Sequence, residues 1–421
     1  MKIKNKVSTL FAVSFLTLGL SSHSLAAEVT VWAWDPNFNV AAMHEASSIY
    51  KKADPSFSLK VIDSGKEDIE QKLNTMLASG VKNSLPDIVL IEDYNAQKYL
   101  QAYPDSFIPL QDAIDYSQFA PYKTKVMTVG DKVYGVPFDS GVAGMFYRLD
   151  YLEAAGYKES DMVNITWDKY IEIGKQVKAK TGVDMLTYDM NDVVLPHIMM
   201  QSGGEWFFDN QGQLNLTKNN ALKETLKTIK AINDAKIARP ISGWSSFVGS
   251  FNAGKSASVV SGVWVIGSIK SAEDQKGKWR VAPIPRLNLG KAVHASNQGG
   301  SSWYVLKGGK NTKQAIEFLQ KTFAADSNMY QTLLVDRGAL ATFLPATSGP
   351  AYAVKDPFFG GQPVFADFSK WVTEIPQVSY GMYTQEVDNA IAAEIPALLK
   401  GDSVDDVLKR AETTLKNQIM Q

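Results

Sequence analysis

Tryptophans and carboxylates are the residues of this chain with the most chemistry to offer. Nine tryptophans are present. Trp34, Trp206, Trp244, Trp264 and Trp303 stand beside glycine, serine or acidic residues rather than inside periodic apolar stripes, and Asp35, Glu92, Asp93, Asp139 and Asp192 supply carboxylates in loops and at strand ends. Sugars have apolar C–H faces on which an indole packs and hydroxyl rims that carboxylates and amides bind, so this inventory suits a carbohydrate. Each tryptophan can equally be core, and each carboxylate a turn or cap residue.

The strongest formal motif points elsewhere and fails on physical grounds. Gly249-Ser250-Phe251-Asn252-Ala253-Gly254-Lys255-Ser256 fits the phosphate-loop pattern position by position. Such a loop needs a strand before it and a helix beginning at the lysine, so that amides and helix dipole meet the phosphate. Here Phe247 to Ala253 reads as helix, Gly254 as its stop, and the segment after Lys255 as strand. Metal chemistry has little support: His44, His197 and His294 are widely separated outside the leader. The stretch from Asp35 starts like a calcium loop but has Val40 where glycine is required and Ala46 at its last ligand position. A Gly-x-Ser-x-Gly nucleophile elbow is missing. No cofactor and no metal are expected.

Composition bounds the class. A chain of 421 residues exceeds the size at which one core keeps growing, so two lobes are expected. Forty-three basic against 44 acidic residues leave a net charge of −1, which removes the electrostatic footprint of a nucleic-acid binder. Residues 1–27 read as a secretory signal: Lys2, Lys4 and Lys6, an apolar run from Leu10 to Leu20, then Ser24-Leu25-Ala26-Ala27, with cleavage after Ala26 or Ala27. The run is shorter than the roughly 20 residues of a spanning helix. Cysteine is absent, which removes disulfides, a catalytic thiol and a lipid-anchoring residue after the signal. An exported chain without a lipid anchor points to a periplasm.

The elements that must position these residues alternate. VTVWAW from Val29 reads as a strand, DPNFN as a turn and Val40 to Lys52 as a helix; Leu59 to Asp63, Glu67 to Ser79 and Asp87 to Asp93 continue as strand, helix and strand. Such β-α-β-α-β order implies a parallel-rich sheet with ligands beyond the strands' carboxyl ends, where Trp34, Asp35, Asn37, Glu92 and Asp93 fall. GDKVYGVPFDSGVAGMFYR (Gly130 to Arg148) is strand-like at both ends and bends at Pro137 and Asp139-Ser140-Gly141. Thr166 caps an expected helix to Thr181 with Gly182 as stop. Leu222, Leu226, Ile229 and Ile232 share one helical face, SASVVSGVWV is a strand entering a Trp-bearing turn, and Asn311 with Gln314 suggests a capping box. Two amphipathic helices, Glu386 to Leu399 and Ser403 to Gln418, close the chain.

Several segments together resemble the family 1 extracellular solute-binding proteins, the group that includes the maltodextrin-binding proteins: VTVWAW, LPDIVLIED, GDKVYGVPFDSGVAGMFYR, FNAGKSASVVSGVWV, WRVAPIP, GGSSWYVLK and EIPQVSYGMYTQEVDNAI. The resemblance covers nearly the whole mature chain. It implies an α/β periplasmic binding protein fold of two discontinuous lobes with a ligand cleft between them. The lobes would be 28–138 plus 300–341 and 142–297 plus 346–421, with hinge crossings near 138–142, 297–300 and 341–346. It implies ligand contacts from Asp35, from Glu92 to Tyr94, from Asp139, from Asn191 and Asp192, and from Trp264 as the aromatic that packs on a sugar ring. Trp34, Trp206, Trp244, Gly300, Trp303, Arg337 and Tyr380 complete the candidate set. Two positions depart from the maltodextrin-binding pattern, Met382 and Ile91 standing where those relatives carry tryptophans.

The function implied is binding of a mono- or oligosaccharide and its delivery to the membrane permease subunits of an ABC importer, by a monomer that performs no chemistry. Competing readings are an exported carbohydrate-active hydrolase, since paired carboxylates beside tryptophan also describe a glycosidase site, and a binding protein for a polyol, a glycerol phosphate or a polyamine. The cleft loops carry no concentrated basic cluster, which argues against phosphate.

Overall fold

Val29, Val31 and Ala33 face one side of the first strand and Trp32 the other, so its alternation packs two different cores. Ile88 and Leu90 of the strand beside it join the first of these cores, Val89 and Ile91 the second. A sheet buried on both faces accounts for the near-continuous apolar run that the sequence shows there.

In this computed structural model residues 28–80, 84–189, 193–209 and 211–419 are described. The leader and the candidates Asn191 and Asp192 lie outside the described residues. The strands are β1 (Glu28–Ala33), β2 (Ser58–Asp63), β3 (Ile88–Glu92), β4 (Thr128–Val129), β5 (Lys132–Val133), β6 (Gly135–Pro137), β7 (Ala143–Arg148), β8 (Asp184–Asp189), β9 (Ala238–Ile241), β10 (Ser256–Gly262), β11 (Trp279–Ala282) and β12 (Ser301–Val305). They form two five-stranded sheets, ordered β2-β1-β3-β12-β6 and β11-β7-β10-β8-β9, plus the β4-β5 ribbon. The protein is thus a two-lobed α/β molecule with one sheet per lobe.

Each sheet is parallel on one side only. β1 pairs in parallel with β2 and β3, whereas β12 runs antiparallel to β3 and β6. In the second sheet β8 is parallel to β9 and β10, while β7 is antiparallel to β10 and β11. The expected parallel-rich sheet is therefore corrected to a mixed one: the strands flanking the crossings, β6 and β7 on one and β12 on another, arrive against the direction set by the β-α-β units.

Three stretches of chain run side by side between the sheets. Asp139 is bridged to Ala341 and Val142 to Asn297, and Gln298 N donates to Gly141 O at 2.7 Å. A Cβ at Gly141 would stand 1.9 Å from Gln298 O, so only glycine allows the crossing strands to lie this close. Asn297, fully buried, ties the bundle: its Oδ1 accepts from Tyr122 Oη at 3.2 Å and Gly141 N at 3.1 Å, and its Nδ2 donates to Tyr380 Oη at 3.2 Å.

Local signals in the sequence hold. Thr166 Oγ1 accepts from Lys169 N at 3.2 Å at the start of the helix Trp167–Thr181, and Gly182 ends it at φ 75°. Leu222, Leu226, Ile229 and Ile232 are buried along the helix Asn220–Asp234. The phosphate-loop match is a helix, Trp244–Asn252, turning at Gly254 (φ 67°) into β10, the order expected from the sequence and the reverse of a phosphate site. The capping box at Asn311 does not form: its side chain makes no cap hydrogen bond, and its Nδ2 donates to Glu28 O at 2.8 Å.

Candidate functional site

The carboxyl ends of β1 and β3 open onto the same space as the turn that follows β10. Between them lies a cleft of about 980 Å³. Trp34, Asp35, Lys66, Glu92 and Arg337 line it from the first sheet's side, and Trp264 from the second's. Asp139 and the strip Gln298, Gly299, Gly300 and Ser301 from the crossings form another part of its wall.

Asp35 builds the loop after β1. Its backbone is left-handed (φ 60°), a conformation aspartate tolerates better than most residues. Its Oδ1 accepts from Asn37 N at 2.9 Å, and its carbonyl accepts from Phe38 N and Val40 N at the start of the helix Asn39–Tyr50. Glu92, the last residue of β3, is ion-paired with Lys66. Asp139 is almost fully buried; its Oδ1 accepts from Ser301 N and Oγ, both at 2.8 Å. Burial pushes its carboxyl above the usual range against the opposing pull of Lys123. Gly300, at φ 82°, would bring a Cβ to 3.0 Å from Asp93 Oδ2 and 3.1 Å from Asp139 O.

Trp264 sits in the short 3-10 turn Val263–Val265 that follows β10 and keeps 36% of its surface exposed. Its Nε1 donates to Gln298 O at 2.9 Å, which fixes the plane of the indole. Trp244 is 51% exposed with its ring 5.5 Å from that of Trp264. It lines an adjoining pocket of about 250 Å³ that shares Trp264 and Gln298 with the cleft.

Four candidates are enclosed and do not line the cleft, which corrects the expectation that they present a surface to ligand. Trp303, 0% exposed, is core between Phe138 and Phe323 at 5.5 and 5.4 Å. Trp206 donates from Nε1 to Thr384 Oγ1 at 3.1 Å and packs on Tyr380 at 4.6 Å, itself fully buried. Asp93 is shut off from solvent with Lys123, whose Nζ lies 2.7 and 2.9 Å from its two carboxylate oxygens and 2.7 Å from Asp139 O. Tyr94, which lines the cleft, stacks on Trp206 at 5.8 Å and 17° and donates from Oη to Asn297 O at 3.0 Å, joining the lobes.

Sequence reasoning did not single out Lys66, Asn39, His197, Gln385, Asp388 or Asn389, all of which line the cleft. Asn39 is 2% exposed, and its Oδ1 has no hydrogen-bond partner among the described residues. Gln385, Asp388 and Asn389 lie at i, i+3 and i+4 on one helix, a polar stripe that in sequence reads as a solvated face.

Fold and cleft together define a two-lobed ligand-binding protein whose site is assembled from both lobes and the crossings. The family of bacterial extracellular solute-binding proteins matches residues 45–356, and the chain belongs to it. It is 51% identical over 417 residues to a lactose-binding protein of Rhizobium radiobacter, covering 99% of this chain and 98% of that one. Among solved structures it resembles the sugar-binding protein MalE of Xanthomonas citri, with a TM-score of 0.77, 18% identity, and 94% and 99% of the two chains covered. It also resembles the galacto-N-biose-/lacto-N-biose I-binding protein of the Bifidobacterium longum ABC transporter in complex with lacto-N-biose, with a TM-score of 0.73, 22% identity, and coverage of 94% and 98%.

Proposed function

We propose that this protein binds a neutral disaccharide of the lactose type in the cleft between its lobes and delivers it to the membrane permease subunits of an ABC importer. The observation that carries the carbohydrate class is Trp264: a part-exposed indole, held in one plane, facing a cleft whose polar groups come from both lobes. The full-length likeness to a lactose-binding protein supports the narrower choice of sugar. Lobes of 28–138 plus 300–341 and 142–297 plus 346–421 close on the ligand about the crossings, which requires tighter binding to the closed form than to the open one. The protein acts after export, as a monomer, and performs no chemistry on its ligand.

Thermal unfolding with a panel of lactose, maltose, glycerol 3-phosphate and spermidine tests the reading. Lactose at about a hundred times its Kd adds about 2.7 kcal/mol, which for a chain of this length raises Tm by about 3 °C. Stabilisation by glycerol 3-phosphate or spermidine without any by the sugars overturns the carbohydrate class. Release of glucose from lactose by the purified protein overturns the non-catalytic part.

A further inference from the structure

The helix Thr384–Lys400 buries Val387, Ile391, Ile395 and Leu398 in the core and turns the opposite stripe, Gln385, Asp388, Asn389 and Ala392, to the cleft. Asp388 is the charged member of that stripe, and only 9% of it is exposed. A carboxylate this enclosed is costly unless its oxygens find donors. Among the described residues one donor is present: His197, on the helix Val194–Ser202 and 4% exposed, places Nε2 2.7 Å from Asp388 Oδ1. A carboxylate only accepts, so this contact assigns the proton to Nε2. The imidazole is held in turn by Trp206 at 4.7 Å and Tyr94 at 5.2 Å.

The second oxygen of the same carboxylate, Oδ2, has no hydrogen-bond partner among the described residues. A carboxylate accepts at about four lone-pair positions, and the described residues use one of them. Lys66, Lys270 and Arg337 also line the cleft; Lys66 and Lys270 are paired elsewhere, with Glu92 and Asp356.

Resting on the carbohydrate reading above, we infer that Asp388, clamped by His197, is a specificity residue that accepts a hydrogen bond from one hydroxyl of the bound sugar. Its partner is a neutral donor: the lining carboxylates Asp35, Glu92, Asp139, Asp336 and Asp388 outnumber the lining cations Lys66, Lys270 and Arg337, which disfavours a phosphate or carboxylate ligand. His197 is a positioning residue that sets the carboxylate's orientation before the sugar arrives, so that less ordering is left to binding.

Calorimetric titration of the full mature chain with lactose and its singly deoxygenated analogues tests the inference, using the panel sugar that binds and its analogues if that sugar is not lactose. Asp388→Ala is expected to weaken binding at least tenfold, and Asp388→Asn to fold like the wild type and weaken it less. One deoxy analogue should bind the wild type about tenfold more weakly than the parent sugar, yet bind Asp388→Ala no more weakly than the parent does, because the hydroxyl and its acceptor are then both gone. His197→Leu should lose affinity that His197→Gln, which keeps a donor, largely retains. Equal losses on wild type and variant for every analogue, or undiminished binding by both Asp388 variants, overturn the inference while leaving the carbohydrate reading intact. Failure of the wild type to bind any saccharide overturns both.

Discussion

The indole nitrogen of Trp264 donates to the carbonyl of Gln298 at 2.9 Å, so a residue at the end of β10 takes its orientation from a crossing strand. Gly262 leaves the room: a Cβ there would stand 2.3 Å from that nitrogen. Trp264→Ala removes an oriented apolar face and should cost about 2 kcal/mol or more of sugar binding, about thirtyfold in affinity. Because 36% of the side chain is exposed, Tm should fall little. Affinity and Tm measured on one preparation check this; a large fall in Tm with unaltered affinity in the folded fraction would exclude a stacking role.

Gly141 and Gly249 should respond oppositely to alanine. At Gly141 the new methyl meets backbone 1.9 Å away, which no rotamer can relieve, so a loss of about 1–3 kcal/mol or more is expected. Gly249 lies inside the helix Trp244–Asn252 with nothing within 4 Å, and alanine there should stabilise by about 0.4–1 kcal/mol. Denaturant titration of both variants decides it, and a Gly141→Ala protein as stable as wild type would mean that the crossings are loosely packed.

Local chemistry explains what the sequence disclosed. Thr166, Gly182 and Gly254 act within a few residues of themselves, so helix ends could be placed before any fold was known. Asp35 comes shortly after one strand and Glu92 ends another, and the carboxyl end of a strand is where such sheets receive ligands. Trp264 stands out because glycines crowd it on both sides. Trp206 and Trp303 have equally polar or small neighbours in sequence, yet both are core: sequence neighbours do not reveal which side of an element a large ring faces. The His197–Asp388 contact joins residues 191 positions apart, and no periodicity connects them. The mixed sheets escaped notice for the same reason, since strand direction is set by how the chain returns across the crossings.

Lys123→Met should make stability more sensitive to pH. Asp93 is pushed up to about 7 by burial, against the pull of Lys123. The folded state therefore holds that proton more tightly than the unfolded chain, and the contribution present below about pH 4 is lost as pH rises through about 7. Without the ammonium the carboxyl rises further, so the variant should lose stability between about pH 5 and about pH 8 faster than wild type, beyond the roughly 3–5 kcal/mol typical of breaking a buried pair. Parallel plots of Tm against pH for the two proteins would count against this account.

Lys255→Ala should leave sugar affinity unchanged, and the wild type should show no ATP-dependent shift in Tm. The exposed Lys255 follows a helix and precedes β10, so no helix N-terminus faces a phosphate there. Stabilisation by magnesium and ATP would restore the nucleotide reading.

Closure about the crossings is the prediction with most bearing on transport. Asp139, Asn297 and Ala341 lie on three adjacent stretches of chain, and Asn297 bonds Tyr122 on one side and Tyr380 on the other. Rotation about this bundle narrows the cleft without breaking either sheet, since the two sheets share no strand. A compact chain of this length has a radius of gyration of about 22 Å, and a molecule with an open cleft lies above that. Saturating lactose should move the value measured by solution scattering toward it at constant mass. The ligand can drive this only through its preference for the closed form, so Trp264→Ala, stripped of part of the binding face, should need proportionately more lactose for the same contraction. Identical scattering with and without a tightly bound sugar would show that the lobes do not close about these crossings.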